Sequence, residues 1–322
     1  MGSLRVLRRG VGMGIRVECG ILLFILGVSS LAWSSCAGGA VFDLAPRQSH
    51  DLSHLLQRAR QGAREAQFQL GVAYEAGMGT EQNYTEAVRW YRAAADSGLP
   101  EAQNNLGSMY RRGLGVPQSD TEAMKWYLRA ALAGHPAAQN NLGSLYRDGH
   151  GVQQDNERAI FWYRKAAAQE YGPAEANLGS MYEAGHGVAS SAGEAMKWYR
   201  KAAKSGNAFA EFSLGMMHLR SGTAQDKKEA LNWFRRAAEH GSAPAENQLG
   251  VAYENGEGVA RDYDVAATWY RAAAQHGMDE ARRNLSLLSA AIGRAHARTS
   301  TPTPSMASSG LVSEPPPTLP TH

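Results

Sequence analysis

The stretch Ala102-Gln103-Asn104-Asn105-Leu106-Gly107-Ser108-Met109-Tyr110-Arg111-Arg112-Gly113-Leu114-Gly115-Val116 decides the fold, because versions of it recur along the chain. Its Leu-Gly pair returns at Leu70-Gly71, Leu106-Gly107, Leu142-Gly143, Leu178-Gly179, Leu214-Gly215 and Leu249-Gly250, at spacings of 36, 36, 36, 36 and 35 residues. A Trp followed by Tyr or Phe keeps step with it at Trp90-Tyr91, Trp126-Tyr127, Trp162-Tyr163, Trp198-Tyr199, Trp233-Phe234 and Trp269-Tyr270. Self-similarity at a fixed period of this length is the mark of a repeat architecture. The one lost residue falls in the fifth unit, between Leu219 and Asp226, where the glycine loop of the other units has decayed.

Each unit reads as two helices. In the second unit Ala102, Leu106, Gly107 and Tyr110 share one face of a first helix at 3.6 residues per turn. Gly113-Leu114-Gly115-Val116 follows, and a glycine just past a helix end takes the left-handed conformation that stops it. A second helix then starts at a capping residue in all six units: Asn83, Ser119, Asp155, Ser191, Asp226 and Asp262. Glu86, Glu122, Glu194 and Glu229 lie three residues on, as a capping box requires. The second helix is expected to bury Ala123, Trp126, Tyr127, Ala130 and Ala131 and to end near Gly134. Glu170 replaces that last glycine in the third unit, which predicts a distorted turn. One helix pair cannot bury both of its faces, so units must stack on their neighbours. Asp51 to Gly62 reads as an extra second helix covering the front, and Met278 to about Ala291 as a lone first helix covering the back.

This pattern resembles the Sel1-like repeat family, relatives of the tetratricopeptide repeats with a longer loop. The motif A-x-x-x-L-G-x-x-Y, G-x-G-V, A-x-x-W-Y-x-x-A-A matches units one to four and six, with Thr80 for Val in the first, whereas the fifth has His218 for Tyr and lacks the glycine loop. The resemblance covers residues 51 to about 291 and implies an all-α, right-handed α/α superhelical solenoid of about six helix-turn-helix repeats with partial capping helices. It implies scaffold or adaptor roles rather than one reaction. Some Sel1-like proteins with paired cysteines in each repeat are linked to penicillin binding or β-lactam hydrolysis. Here Cys19 and Cys36 are the only cysteines, and both lie in or beside the first 37 residues.

The net charge of +3 is localised. Residues 1–37 hold Arg5, Arg8, Arg9 and Arg16 against Glu18, and the remainder carries 29 basic and 29 acidic residues. A neutral body lacks the electrostatic footprint that phosphate backbones need, so nucleic acid is not expected as a partner. The basic stretch precedes the apolar run Ile21-Leu22-Leu23-Phe24-Ile25-Leu26-Gly27-Val28 and then small residues from Ser34 to Ala40. That order predicts a signal peptide over 1–37, or an N-terminal anchor if it is not cleaved, followed by a linker over 38–50. The product would be exported to the periplasm or secreted. Membrane association is expected only through an uncleaved leader or a lipidated Cys36. Residues 292–322, rich in Thr, Ser and Pro, read as a disordered tail.

No nucleophile elbow, phosphate loop or helical zinc motif is present, and neither a catalytic site, a metal site nor a cofactor is expected. His150 and His186 occupy equivalent loops but bring no third ligand. The residue before each Leu is an amide or hydroxyl: Gln69, Asn105, Asn141, Asn177, Ser213, Gln248 and Asn284. By resemblance to tetratricopeptide arrays, the first helices line a concave groove, and asparagines there hold a peptide's main chain or carboxylate. The candidate partner-binding residues are therefore Asn104, Asn105, Arg111, Asn140, Asn141, Arg147 and Asn177. The same asparagines can instead bond to the neighbouring repeat, and the two roles are compatible. The expected function is a non-catalytic scaffold that binds a protein or peptide. The alternatives are an envelope enzyme acting on β-lactams or peptidoglycan, and a membrane-anchored adaptor.

Overall fold

The computed structural model describes the backbone of residues 45–300 and side-chain environments from 52 to 292. The expectations for the leader, its cleavage or anchoring, Cys36 and the chain from residue 301 onward lie outside the described residues. Among the described residues there are helices and no strand: α1 Ala45–Arg60, α2 Arg64–Ala76, α3 Tyr84–Asp96, α4 Pro100–Arg112, α5 Asp120–Leu132, α6 Pro136–Asp148 and α7 Asn156–Ala167. The series continues with α8 Gly172–Ala184, α9 Ala192–Lys204, α10 Ala208–Ser221, α11 Ala224–Glu239, α12 Ala243–Asn255, α13 Tyr263–Gln275 and α14 Asp279–Ser300. Six pairs, from α2–α3 to α12–α13, stack in chain order, and each helix packs chiefly on its neighbours in sequence. The apolar core is accordingly split into clusters strung along the array, as an all-α solenoid requires.

The Leu-Gly and Trp-Tyr signatures interlock physically. A methyl added at Gly71, Gly107, Gly143, Gly179, Gly215 or Gly250 would lie 2.5–2.8 Å from the ring of Tyr91, Tyr127, Tyr163, Tyr199, Phe234 or Tyr270 respectively. Glycine lets the aromatic ring of the second helix press on the backbone of the first, and that contact fixes the pair. These six rings are fully buried, whereas the tryptophans are buried only at Trp90, Trp126 and Trp162. Trp198, Trp233 and Trp269 are half-buried. Trp198 and Trp233 lie under Lys201 and Arg236, which cover their ring faces.

The G-x-G loop serves stacking between units. Gly115 has φ +70°, and a Cβ there would meet Tyr84 O of the preceding unit at 2.3 Å. Only glycine permits both the conformation and the approach.

Caps form as the sequence predicts in five units, with Asn83, Ser119, Asp155, Ser191 and Asp262 each accepting an N–H of the first turn. The fifth unit differs. Because its loop has decayed, α11 starts early and is capped by Thr223, so Asp226 lies in its first turn and Glu229 completes no box. The reciprocal half of the box is also absent elsewhere. The N–H groups of Asn83, Ser119 and Ser191 are already taken by Tyr74 O, Tyr110 O and Tyr182 O. Glu86, Glu122 and Glu194 pair instead with Arg89, Lys125 and Lys197.

Three further differences have local reasons. Glu170 does not distort its turn: it adopts φ +56° in place of glycine, and Tyr171 N still bonds Ala166 O at 3.3 Å. Helix α1 begins at Ala45, inside the segment read as linker, where Pro46 suits a first turn. Helix α14 runs to Ser300 rather than ending near Ala291, since Ala295, Ala297 and Arg298 favour helix and no proline occurs before Pro302. No helix among the described residues is long and apolar enough to cross a membrane.

Candidate partner-binding face

The even-numbered helices carry their polar residues in fixed registers around the Leu-Gly pair. The three residues before the Leu and the one five after it build the candidate face and the junctions beside it.

All seven candidates, Asn104, Asn105, Arg111, Asn140, Asn141, Arg147 and Asn177, are half-buried. The asparagines do form a ladder, but it zigzags between two registers instead of running along one. Asn141 donates to Asn104 Oδ1 at 3.0 Å, and Asn177 donates to Asn140 Oδ1 at 2.8 Å. Near the far end Asn284 donates to Asn247 Oδ1 at 3.0 Å. Asn105 accepts from Asn104 at 3.3 Å and reaches the Tyr91 hydroxyl. The ladder stops where Ala176 replaces the acceptor, so Ser213 finds no amide there. The asparagines thus tie successive repeats together, and each bond leaves further donor and acceptor capacity on the amides.

The two arginines are not equivalent. Arg147 is held by Asp148 in two bonds, at 2.7 and 3.1 Å, and donates to Asn177 Oδ1 at 3.2 Å. The Arg147 guanidinium bonded to Asp148 holds that carboxyl below the usual range, and the same bond raises Arg147. Arg111 makes no ion pair among the described residues. Burial pushes the Tyr127 hydroxyl up to about 12, and the nearby charge of Arg111 opposes that shift.

The register of these arginines holds Glu75, Arg111, Arg147, Glu183, Leu219 and Glu254 from one repeat to the next. Where it is Glu, the buried tyrosine donates to it: Tyr91 to Glu75 at 2.6 Å, Tyr199 to Glu183 at 2.8 Å and Tyr270 to Glu254 at 2.7 Å. Burial first, and then these carboxylates, raise all three hydroxyls. Where it is Arg, the tyrosine turns to serine, as in the 3.1 Å contact of Tyr163 with Ser144. Within this register basic residues occur only in the second and third repeats, and the flanking Glu75 and Glu183 pair with Arg112 and Arg220. Sequence reasoning named the arginines and missed the glutamates, although the repeat spacing lines them up.

A third register, three residues before the Leu, was also missed. Gln67, Gln103 and Gln139 donate to Ala59 O, Ala95 O and Ala131 O, at the ends of α1, α3 and α5, at 3.0–3.1 Å. In the next three units the residue becomes Glu175, Glu211 and Glu246, all buried. Glu211 is met by Arg236 at 2.9 Å and His240 at 2.7 Å, and Glu246 by His276 at 2.8 Å.

His150 and His186 are exposed. Among the described residues no group of three or more His, Cys, Asp or Glu is placed to hold a metal.

Paired helices at a fixed period, each leaning only on the next, define an α/α repeat protein. The Sel1 repeat model matches residues 64–99, 100–135, 136–171, 172–207, 208–242 and 243–278, and the chain belongs to that family. Sel1 repeat proteins are generally protein-interaction scaffolds, typically non-catalytic, that bind protein partners. Among solved structures, the chain is similar to c5321, a protective antigen of uropathogenic Escherichia coli strains with an SLR fold. The identity is 35%, covering 74% of this chain and 51% of that one, with a TM-score of 0.65. It is also similar to a Sel1 repeat protein from Oxalobacter formigenes, at 33% identity over 76% of this chain and 74% of that one, with a TM-score of 0.67. The chain thus spans about half the length of the Escherichia coli antigen. No curated protein matches it.

Proposed function

We propose that this chain is an exported, non-catalytic scaffold that captures an extended segment of a protein partner, one bearing acidic residues or a free carboxylate, beside the asparagine ladder. The observation that carries this reading is Arg111: half-buried, near the Tyr127 hydroxyl, and without an ion pair among the described residues. A guanidinium in that state is ready to take a carboxylate in two parallel bonds. Arg147, already shared between Asp148 and Asn177, plays the lesser part. Within this register Arg occurs only in the second and third repeats, so the proposed site lies there.

The test is binding of acidic peptides with free C-termini against their amidated counterparts. Arg111→Ala with Arg147→Ala should weaken capture of the free-carboxylate series at low and physiological salt while helicity stays intact. Equal binding by the double variant would sink the proposal. Export rests on the leader-like residues 1–37, and mass spectrometry of the native N-terminus distinguishes cleavage, an intact anchor and lipid at Cys36. The absence of catalysis is tested by incubating the purified protein with a chromogenic β-lactam and with cell-wall material, where turnover by the pure protein would overturn it.

A further inference from the structure

The junction between the third and fourth repeats lacks the Arg or His partner that the following junctions possess. Glu175 is only 5% exposed, and among the described residues no Lys, Arg or His nitrogen comes within 4.0 Å of its carboxylate. Its equivalent Glu211 is met by Arg236 and His240, and Arg236 also donates to Ala203 O, at the end of α9, at 3.0 Å. One repeat earlier these positions are Lys201, Ser205 and Ala167. Lys201 Nζ lies over the Trp198 ring, 4.4 Å from its centre, and Ser205 donates to Ala202 O. The change from Gln to Glu also removes the amide that, in the first three repeats, donates to the carbonyl equivalent to Ala167 O.

What remains is an open pocket of about 440 Å³ lined by Ala167, Glu170, Glu175, Lys201, Lys204 and Ser205. Ala167 is the last residue of α7, so the negative end of a helix faces the same space. Burial pushes the Glu175 carboxyl above its usual range, and the more distant Lys201 and Lys204 offset this only in part.

We propose that this pocket is a binding site for an arginine side chain of a partner protein, whose guanidinium pairs with the Glu175 carboxylate and donates to Ala167 O, as Arg236 pairs with Glu211 and donates to Ala203 O one repeat later. A guanidinium fits because its fork serves a carboxylate and a carbonyl together, whereas Lys201 lies over the Trp198 ring. The site lies on a different register from Arg111 and Arg147 and takes a ligand of opposite charge, so it stands or falls separately from the reading above.

The experiment titrates the full-length protein with acetyl-Gly-Arg-Gly-amide and, as a neutral isostere, acetyl-Gly-citrulline-Gly-amide, following backbone amide resonances. Saturable shifts at Ala167, Glu170 and Ser205 are expected with the arginine probe alone. Glu175→Gln restores the amide-to-carbonyl bond of the first three repeats, so it should fold with an undiminished thermal midpoint. It should nevertheless bind the probe about tenfold or more weakly, the loss of one bond to a charged group. Lys201→Arg should supply the internal guanidinium and block the site as well. The proposal is overturned if the citrulline probe shifts the same residues equally, if neither probe moves them, or if Glu175→Gln binds arginine as tightly as the unmodified protein.

Discussion

The Asn177 amide donates to Asn140 Oδ1 at 2.8 Å, joining side chains 37 residues apart on the first helices of successive repeats. The bond is half-buried, where a hydrogen bond contributes about 0.5–1.5 kcal/mol net. Asn177→Ala and Asn140→Ala should each destabilise the array, and the double variant should cost less than their sum by about 1 kcal/mol. A double-mutant cycle from urea unfolding measures this, and additive losses would show that the bond carries no stability.

Gly143 lies against Tyr163, and an added methyl would sit 2.7 Å from the ring's Cε1. The ring is fully buried and has no room to retreat. Gly143→Ala should therefore cost about 1–3 kcal/mol, as overpacking does, despite alanine's better helix propensity. A variant as stable as the parent in thermal unfolding would contradict the interlock described above.

Trp162→Ala should cost about 3–5 kcal/mol, because this ring is buried in the third unit. Trp198→Ala should cost less, since Trp198 is half-buried. Hydrogen exchange should show Trp162→Ala loosening units two to four, because stability in a repeat array passes between neighbours. Unchanged protection there would remove Trp162 from the core.

Glu170 holds φ +56° where the other repeat ends place glycine. A left-handed conformation strains any residue with a Cβ by roughly 1–2 kcal/mol, while glycine adds freedom to the unfolded chain. Glu170→Gly should raise stability by roughly 0.5–1 kcal/mol, read as a higher unfolding midpoint; a loss would show that the Glu170 side chain stabilises the turn.

The Asp226 carboxyl is held down to about 2 by the hydroxyls of Ser221 and Thr223 and by His218. Its pKa is depressed in the folded chain, so its contribution to stability is present above the ordinary value of 3.8 and is lost as pH falls through about 2. Thr223→Val should raise its midpoint in a carboxyl-carbon titration and remove the cap of α11 at a cost of about 1 kcal/mol. A midpoint that does not move would exclude Thr223 as a cause.

The sequence by itself determined the period, the two helices of each unit, five of the six caps and the neighbour-only stacking. These depend on local chemistry: glycine where a ring or a left-handed turn demands it, a capping side chain where a helix starts, apolar residues at 3.6-residue spacing. It also named the seven polar candidates, because they recur at fixed offsets from the Leu on the first helix. Tertiary structure decided which of these groups remain available. Whether Asn141 meets Asn104 or Asn105 depends on the offset between stacked helices, which no local pattern encodes. Arg147 and Arg111 look alike along the chain, and only the packed repeat shows Asp148 holding one of them. Glu175, Glu211 and Glu246 share one register, yet only Glu211 and Glu246 find Arg or His partners, and these come from the second helix of the same repeat, about 30 residues on in the chain. Electrostatic pairing depends on distance in space, and in a solenoid that distance is set by stacking one repeat on the next.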